Sequence, residues 1–196
     1  MSATLISIIG PPAVGKTTLA EALARELPAG IIYEDYAGNP FLPDSYVGPL
    51  ETRLPAQLYF LMSRVKQLSS AAWPAEGMLV SDYGFCQDRI YAAARLDEDE
   101  LRLYDRVARR VSGLAHRPEV IVHLDAPEST LLERIAARAR EYEKAMTLDF
   151  LHAMRTAYNG VEHDPQCAVI AVDTGEADLL DPRTRGELAA RIRERL

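Results

Sequence analysis

The chain has 196 residues, 48% hydrophobic and 26% charged, which is ordinary globular usage and suits one domain over residues 1–196. With 22 Lys+Arg against 29 Asp+Glu the formal net charge is −7 and no basic block interrupts it, so neither nucleic acid nor an anionic membrane surface is an expected partner. Cys86 and Cys167 are too few for a disulfide framework or a thiolate metal cage; no run of 18 apolar residues exists and the start does not read as a signal peptide, so the expected setting is the cytoplasm.

Apolar, β-branched runs alternate with longer helical patterns. Residues 4–9 read as a buried strand, and 17–27 as a helix with Leu19, Leu23 and Leu27 on one stripe. Residues 30–33 form a short second strand. The stretch 34–53 carries Gly38, Gly48, Pro40, Pro43 and Pro49 and reads as a long connection, a length that usually signals function. Residues 54–73 are a strong helix with Leu54, Leu58, Leu61, Val65 and Leu68 aligned; 78–81 are a third strand; 85–94 and 98–115 are helical. Residues 120–124 are a fourth strand, followed by a helix with Pro127 near its start; 147–159 are helical, 169–172 a fifth strand and 182–196 a final helix.

Strands joined by helices predict an α/β architecture, a five-stranded parallel sheet covered on both faces. Ligands in such folds bind at the carboxyl ends of the strands. Those ends hold Gly10, Glu34, Asp82, Asp125 and Asp173, four of them acidic.

Residues 10–17, Gly10-Pro11-Pro12-Ala13-Val14-Gly15-Lys16-Thr17, match G-x-x-x-x-G-K-[ST] without a gap, with a strand before and a helix after. Gly15 admits phosphate close to the backbone, the amides and the helix N-terminus form an anion nest, Lys16 reaches the β/γ-phosphates, and Thr17 ligates Mg²⁺; Thr18 follows on the same turn. The fold expected is therefore that of P-loop NTPases, with ATP as phosphoryl donor and Mg²⁺ as cofactor. A GTPase would need DxxG after the third strand and an NKxD; Asp35-Tyr36-Ala37-Gly38 follows the second strand and no NKxD occurs. A small-molecule kinase fits the size.

Three further segments are informative together. They are Glu34-Asp35-Tyr36-Ala37-Gly38-Asn39-Pro40-Phe41-Leu42 with Tyr46 and the run from Gln57 to Arg64; Ser81-Asp82-Tyr83 with Ile90-Tyr91-Ala92; and Arg134-Ile135 with Arg138, Arg140 and Glu143. With the phosphate loop they resemble the deoxynucleoside kinase family, in particular bacterial deoxyadenosine/deoxyguanosine kinases, over residues 4 to about 180. The resemblance implies transfer of the ATP γ-phosphoryl group to the 5′-hydroxyl of a purine deoxynucleoside, by a homodimer. It implies Glu34 as base, Tyr46 and Glu143 at the 3′-hydroxyl, Gln57 on the nucleobase, Arg64 beside it with Asp88 as acidic partner, and Tyr91 packed on it. Arg138 and Arg140 would clamp phosphates from a short lid at about 134–146, and Asp82 would sit near Mg²⁺. Where the family has Asp-Arg or Glu-Arg after the third strand, this chain has Asp82-Tyr83; the segment to Ile90 reads as one residue short, and Arg89 is the candidate for the missing guanidinium. Ala56 replaces an aromatic residue and could enlarge the base pocket.

The residues carry much of this unaided. Gln57, Phe60 and Arg64 share one helix face, which reads either as a solvated flank or as a polar-aromatic pocket wall. Arg138 and Arg140 either pair with Glu133, Glu141 or Glu143 or cover phosphates. Asp125 is expected as a helix N-cap, the stretch Asp173 to Asp178 either as a plain turn or as a border of the adenine of ATP, His123 as a satisfied core residue and Trp73 as a packing residue. A nucleoside monophosphate kinase and a non-enzymatic nucleotide switch are the alternatives; Glu34 argues against the first, since a carboxylate repels an acceptor's phosphate.

Overall fold

The computed structural model describes residues 3–196. Strands β1 (Thr4–Ile9), β2 (Gly30–Ile32), β3 (Met78–Ser81), β4 (Val120–Asp125) and β5 (Ala168–Asp173) form one sheet in the order β2-β3-β1-β4-β5, and every pairing is parallel. The connecting helices are α1 (Lys16–Glu26), α2 (Leu42–Val47), α3 (Arg53–Gln67), α4 (Gln87–Arg95), α5 (Glu98–Val111), α6 (Glu128–Arg138), α7 (Leu148–Asn159) and α8 (Pro182–Arg193). The expected α/β architecture is observed. No helix among the described residues is long and apolar enough to cross a membrane.

Alternation along β1 and β4 feeds both faces of the sheet. Ile6, Ile8, Val120, Val122 and Leu124 point to one face, where Leu19 and Leu23 of α1, Leu131 and Ile135 of α6, and Leu188 and Ile192 of α8 cover them. Leu5 turns to the other face with Leu68, Leu79 and Tyr83, and Ile9 and Ile121 join Ile90, Met154 and Tyr158. α5 rides outside, its Tyr104 packed with Leu61, Val65 and Ala92. It starts at a capping box in which Asp97 and Glu100 satisfy each other's backbone N–H.

Several expectations are corrected here. The long connection after β2 contains α2: Pro43 lies in its first turn, where a missing N–H costs nothing, and Gly48 ends it. The helix read over 54–73 stops at Gln67, because the Leu68 carbonyl is taken by the His116 N–H (2.8 Å) and the Gln67 carbonyl by Trp73 Nε1 (2.8 Å). Asp125 caps nothing; Arg155 of α7 holds it through Nε and Nη2 at 2.8 and 2.7 Å, while Pro127 precedes α6. His123 is not satisfied: its buried Nε2 has no hydrogen-bond partner, and desolvation lowers its pKa.

Candidate active site

The central strand ends in the phosphate loop. Gly10 has φ 143, and a Cβ there would stand 2.3 Å from the Leu124 carbonyl oxygen, so only glycine lets the loop leave β1 beside β4. Ala13 (φ 61) and Gly15 (φ 103) also take the left-handed conformation, which turns successive amides inward ahead of α1. Lys16 folds back over this nest, donating to the carbonyls of Gly10 (2.8 Å) and Pro11 (2.9 Å). Burial lowers its pKa to about 7, against the opposing pull of Asp82. On the flank, Thr174 after β5 donates to the Val14 carbonyl and accepts from Arg134 Nη1 at 2.9 Å, tying the loop to α6.

A cleft of about 710 Å³ opens above these strand ends. Pro12 to Thr18 line one part, and Glu34, Tyr46, Gln57, Arg64, Asp82, Tyr91, Arg138, Arg140 and Glu143 line the rest, so nearly every expected site residue faces one space. Gly10 and Pro11 contribute carbonyls beneath it. Asp88 stands behind Arg64, outside the lining.

Two contacts join the halves of the cleft. Thr17 Oγ1 donates to Asp82 Oδ2 at 2.7 Å, and the Glu34 N–H donates to Asp82 Oδ1 at 2.8 Å. Asp82 is thus fully engaged at the end of β3; its burial raises its pKa. Among the described residues no group of three or more His, Cys, Asp or Glu is placed to hold a metal. The adjacent oxygens of Thr17 and Asp82 are hard donors that suit Mg²⁺ shared with phosphates.

The Gln57–Phe60–Arg64 face of α3 turns inward, not to solvent. Arg64 is 3% exposed and forks between two carboxylates: Nη1 donates to Asp88 Oδ1 at 2.5 Å and Nη2 to Glu34 Oε1. Desolvation nonetheless pushes the Asp88 pKa up to about 6. Glu34 Oε1 also accepts from Gln87 Nε2 at 2.9 Å. Arg89 does not supply the missing guanidinium; it is on the surface, paired with Asp105 at 2.7 Å. Ala56 does not itself line the cleft: it is fully buried, its carbonyl accepting from Asn39 Nδ2 at 3.1 Å.

The lid begins where Ala139 (φ 51) breaks α6. Arg138 grips Glu143 through Nε (2.6 Å) and Nη2 (2.5 Å), with Arg140 Nη1 at 3.6 Å from the same carboxylate. The Arg–Glu pairing therefore coexists with a place in the cleft wall. Asp173 accepts from the Gly175 N–H at 2.7 Å and shapes a turn; residues 174–180 beyond it line the cleft.

Sequence reasoning missed Tyr36 and Arg95. Tyr36 lines the cleft, edge-on to Phe60 at 5.9 Å with the Arg140 guanidinium 5.7 Å from its ring. Arg95 stacks on Tyr46 at 3.9 Å. The aromatic residue two after Glu34 was the available signal for the first; nothing local marks the second.

Comparison with known proteins gives a consistent result. The sequence model of the deoxynucleoside kinase family matches residues 6–196. The deoxyadenosine kinase of Dictyostelium discoideum is 30% identical over 193 residues, covering 96% of this chain and 78% of the relative. The deoxyguanosine kinase of Bacillus subtilis (strain 168) is 29% identical over 202 residues, 98% of each chain. The solved structure of deoxyadenosine kinase from M. mycoides, with products dCMP and a flexible dCDP bound, shares the fold at a TM-score of 0.82 and 21% identity, covering 98% of this chain and 100% of that one. With the family's model matched over nearly its whole length and a relative at 30% identity, the chain belongs to the deoxynucleoside kinase family.

Proposed function

We propose that the enzyme transfers the γ-phosphoryl group of ATP to the 5′-hydroxyl of a purine deoxynucleoside, releasing ADP and the 5′-monophosphate. The observation that carries this reading is the run of contacts from Thr17 through Asp82 to Glu34, which fixes the triphosphate loop and an acceptor-side carboxylate in one frame. The 5′-hydroxyl gives its proton to Glu34 as its oxygen bonds to Pγ and the bond from Pγ to the ADP oxygen breaks. Lys16 exchanges its loop carbonyls for the β/γ-phosphates. Thr17 and Asp82 would hold Mg²⁺, which neutralises triphosphate charge when bound. Arg138 and Arg140 cover the transferred group from the lid and exclude water as rival acceptor. Tyr46 and Glu143 hold the 3′-hydroxyl.

Purine selection rests on α3. Gln57 offers donor and acceptor together to a base edge. Arg64, held by Asp88, presents a fixed guanidinium, and Phe60, Tyr91 and Tyr36 supply flat walls. The relatives named for deoxyadenosine and deoxyguanosine support the same preference. The proposal extends to a homodimer, tested by light scattering, and to the cytoplasm, tested by cell fractionation.

A panel of deoxyadenosine, deoxyguanosine, deoxycytidine, thymidine and dAMP with Mg·ATP tests the reading through product identification. A purine deoxynucleoside is expected as best acceptor. Thymidine as best defeats the purine assignment, dAMP as best makes the enzyme a monophosphate kinase, and acceptor-independent hydrolysis makes it a switch. Glu34→Gln is expected to keep nucleoside binding and lose about 10²–10⁴-fold in kcat; near-wild-type turnover moves the base elsewhere.

A further inference from the structure

Glu34 is gripped from two helices at a single oxygen. Arg64 Nη2 on α3 and Gln87 Nε2 on α4 both donate to Oε1. Neither of these donors engages Oε2, and Glu34 lines the cleft. A carboxylate with both donors on one oxygen presents the other to an incoming hydroxyl.

The two donors differ in their obligations. Arg64 also serves Asp88 and faces the cleft. Gln87 is 1% exposed, is not part of the cleft wall, and has its far end fixed as well: the Tyr158 hydroxyl donates to Gln87 Oε1 at 3.3 Å. Burial raises the Tyr158 pKa well above the ordinary phenol value, so the hydroxyl keeps its proton. An amide between a phenol donor and a carboxylate acceptor has one satisfied orientation, with its NH₂ toward Glu34.

We propose that Gln87, oriented by Tyr158, is the positioning residue of the base: it pins Oε1 of Glu34 so that Oε2 meets the 5′-hydroxyl. This rests on Glu34 being the base. The proton passes from the hydroxyl to Oε2 as the O–Pγ bond forms and ADP leaves; Gln87 exchanges no proton. The charged groups around Glu34 are Arg64 on α3, with Asp88 of α4 behind it, and Asp82 just after β3, whose charge is felt by Lys16 of α1.

Gln87→Met keeps the length and removes the donor. With deoxyadenosine and Mg·ATP, kcat is expected to fall about 10–100-fold while nucleoside Kd by calorimetry stays within about twofold. Tyr158→Phe carries the same test in a milder form that leaves packing intact, with a smaller loss of kcat and the same unchanged nucleoside Kd. A kcat within about twofold of wild type in both variants, or a nucleoside Kd weakened as far as kcat falls, overturns the proposal. Glu34→Gln, run alongside, separates the two claims: if it keeps turnover the base assignment fails, and if it loses turnover while Gln87→Met and Tyr158→Phe do not, only the positioning role fails.

Discussion

The half of the cleft proposed for the triphosphate is made from one stretch of backbone, and the half proposed for the nucleoside from side chains on separate elements. Residues 10–17 place amides, a lysine and a hydroxyl in sequence, so their geometry follows from one turn between β1 and α1. The acceptor half gathers Glu34 from the end of β2, Tyr46 from α2, Gln57 and Arg64 from α3, Tyr91 from α4 and Glu143 from the lid. A backbone nest depends on glycine and turn conformation and carries little information about what is phosphorylated. A site of side chains carries that information, and each member depends on the packing of its neighbours. One half should therefore fail in chemistry alone, the other in chemistry and stability together.

Lys16→Ala breaks the comparison most directly. Lys16 is the side chain of the backbone half that meets transferring charge, so its loss is expected to cost about 10²–10³-fold in kcat/KM. The melting temperature is expected to hold, since the change removes a cation whose burial already disfavours its charge. Steady-state assays with differential scanning calorimetry check both; a collapse in melting temperature would mean that the loop folds around its lysine.

Arg64→Met is the matching test on the acceptor side. It leaves Glu34 and Asp88 as buried carboxylates without their guanidinium. Removing one partner of such a pair costs about 3–5 kcal/mol, to be read from urea unfolding at pH 7 together with loss of nucleoside binding. The cost is expected to shrink as pH falls toward 6: beside Arg64 the Asp88 carboxyl titrates at about 6, with the guanidinium opposing the rise that burial causes, so without Arg64 the folded variant takes up that proton at higher pH and sheds the buried charge. An unfolding free energy close to wild type would show that the triad adds nothing net.

What the sequence revealed divides along the same line. Strands buried on both faces read as continuous apolar runs, and the phosphate loop is contiguous, so the sheet and the donor site were legible from local pattern. The residues that line the rest of the cleft were named through resemblance, but their mutual contacts were not legible. Arg64 and Glu34 are 30 residues apart, and Gln87 lies 53 from Glu34. No periodicity encodes a contact made across a sheet edge. α2 stayed hidden because Pro43 and Gly48 are breakers in mid-helix but suitable at its two ends. Arg89 was a sound guess from spacing; the helical turn at Gln87–Arg95 points it outward.

The smallest effect sharpens the comparison by asking whether the backbone half has an electrostatic state of its own. In the free protein Lys16 titrates near 7, held down by burial. A triphosphate against its ammonium restores the charged form, so binding Mg·ATP must draw in a proton: about half at pH 7 and close to one at pH 8. Affinity for Mg·ATP should accordingly fall as pH rises above 7. The free protein should gain stability over the same range, because the unfolded lysine, at 10.5, holds the proton that the folded one has lost. Calorimetric titrations in phosphate and in Tris, whose ionisation enthalpies differ, report the uptake directly. In Lys16→Arg the guanidinium stays protonated throughout, so the buffer dependence should vanish. Equal heats in both buffers for the wild type would mean that Lys16 is already charged over its loop carbonyls, and that the two bonds to Gly10 and Pro11 outweigh the loss of water.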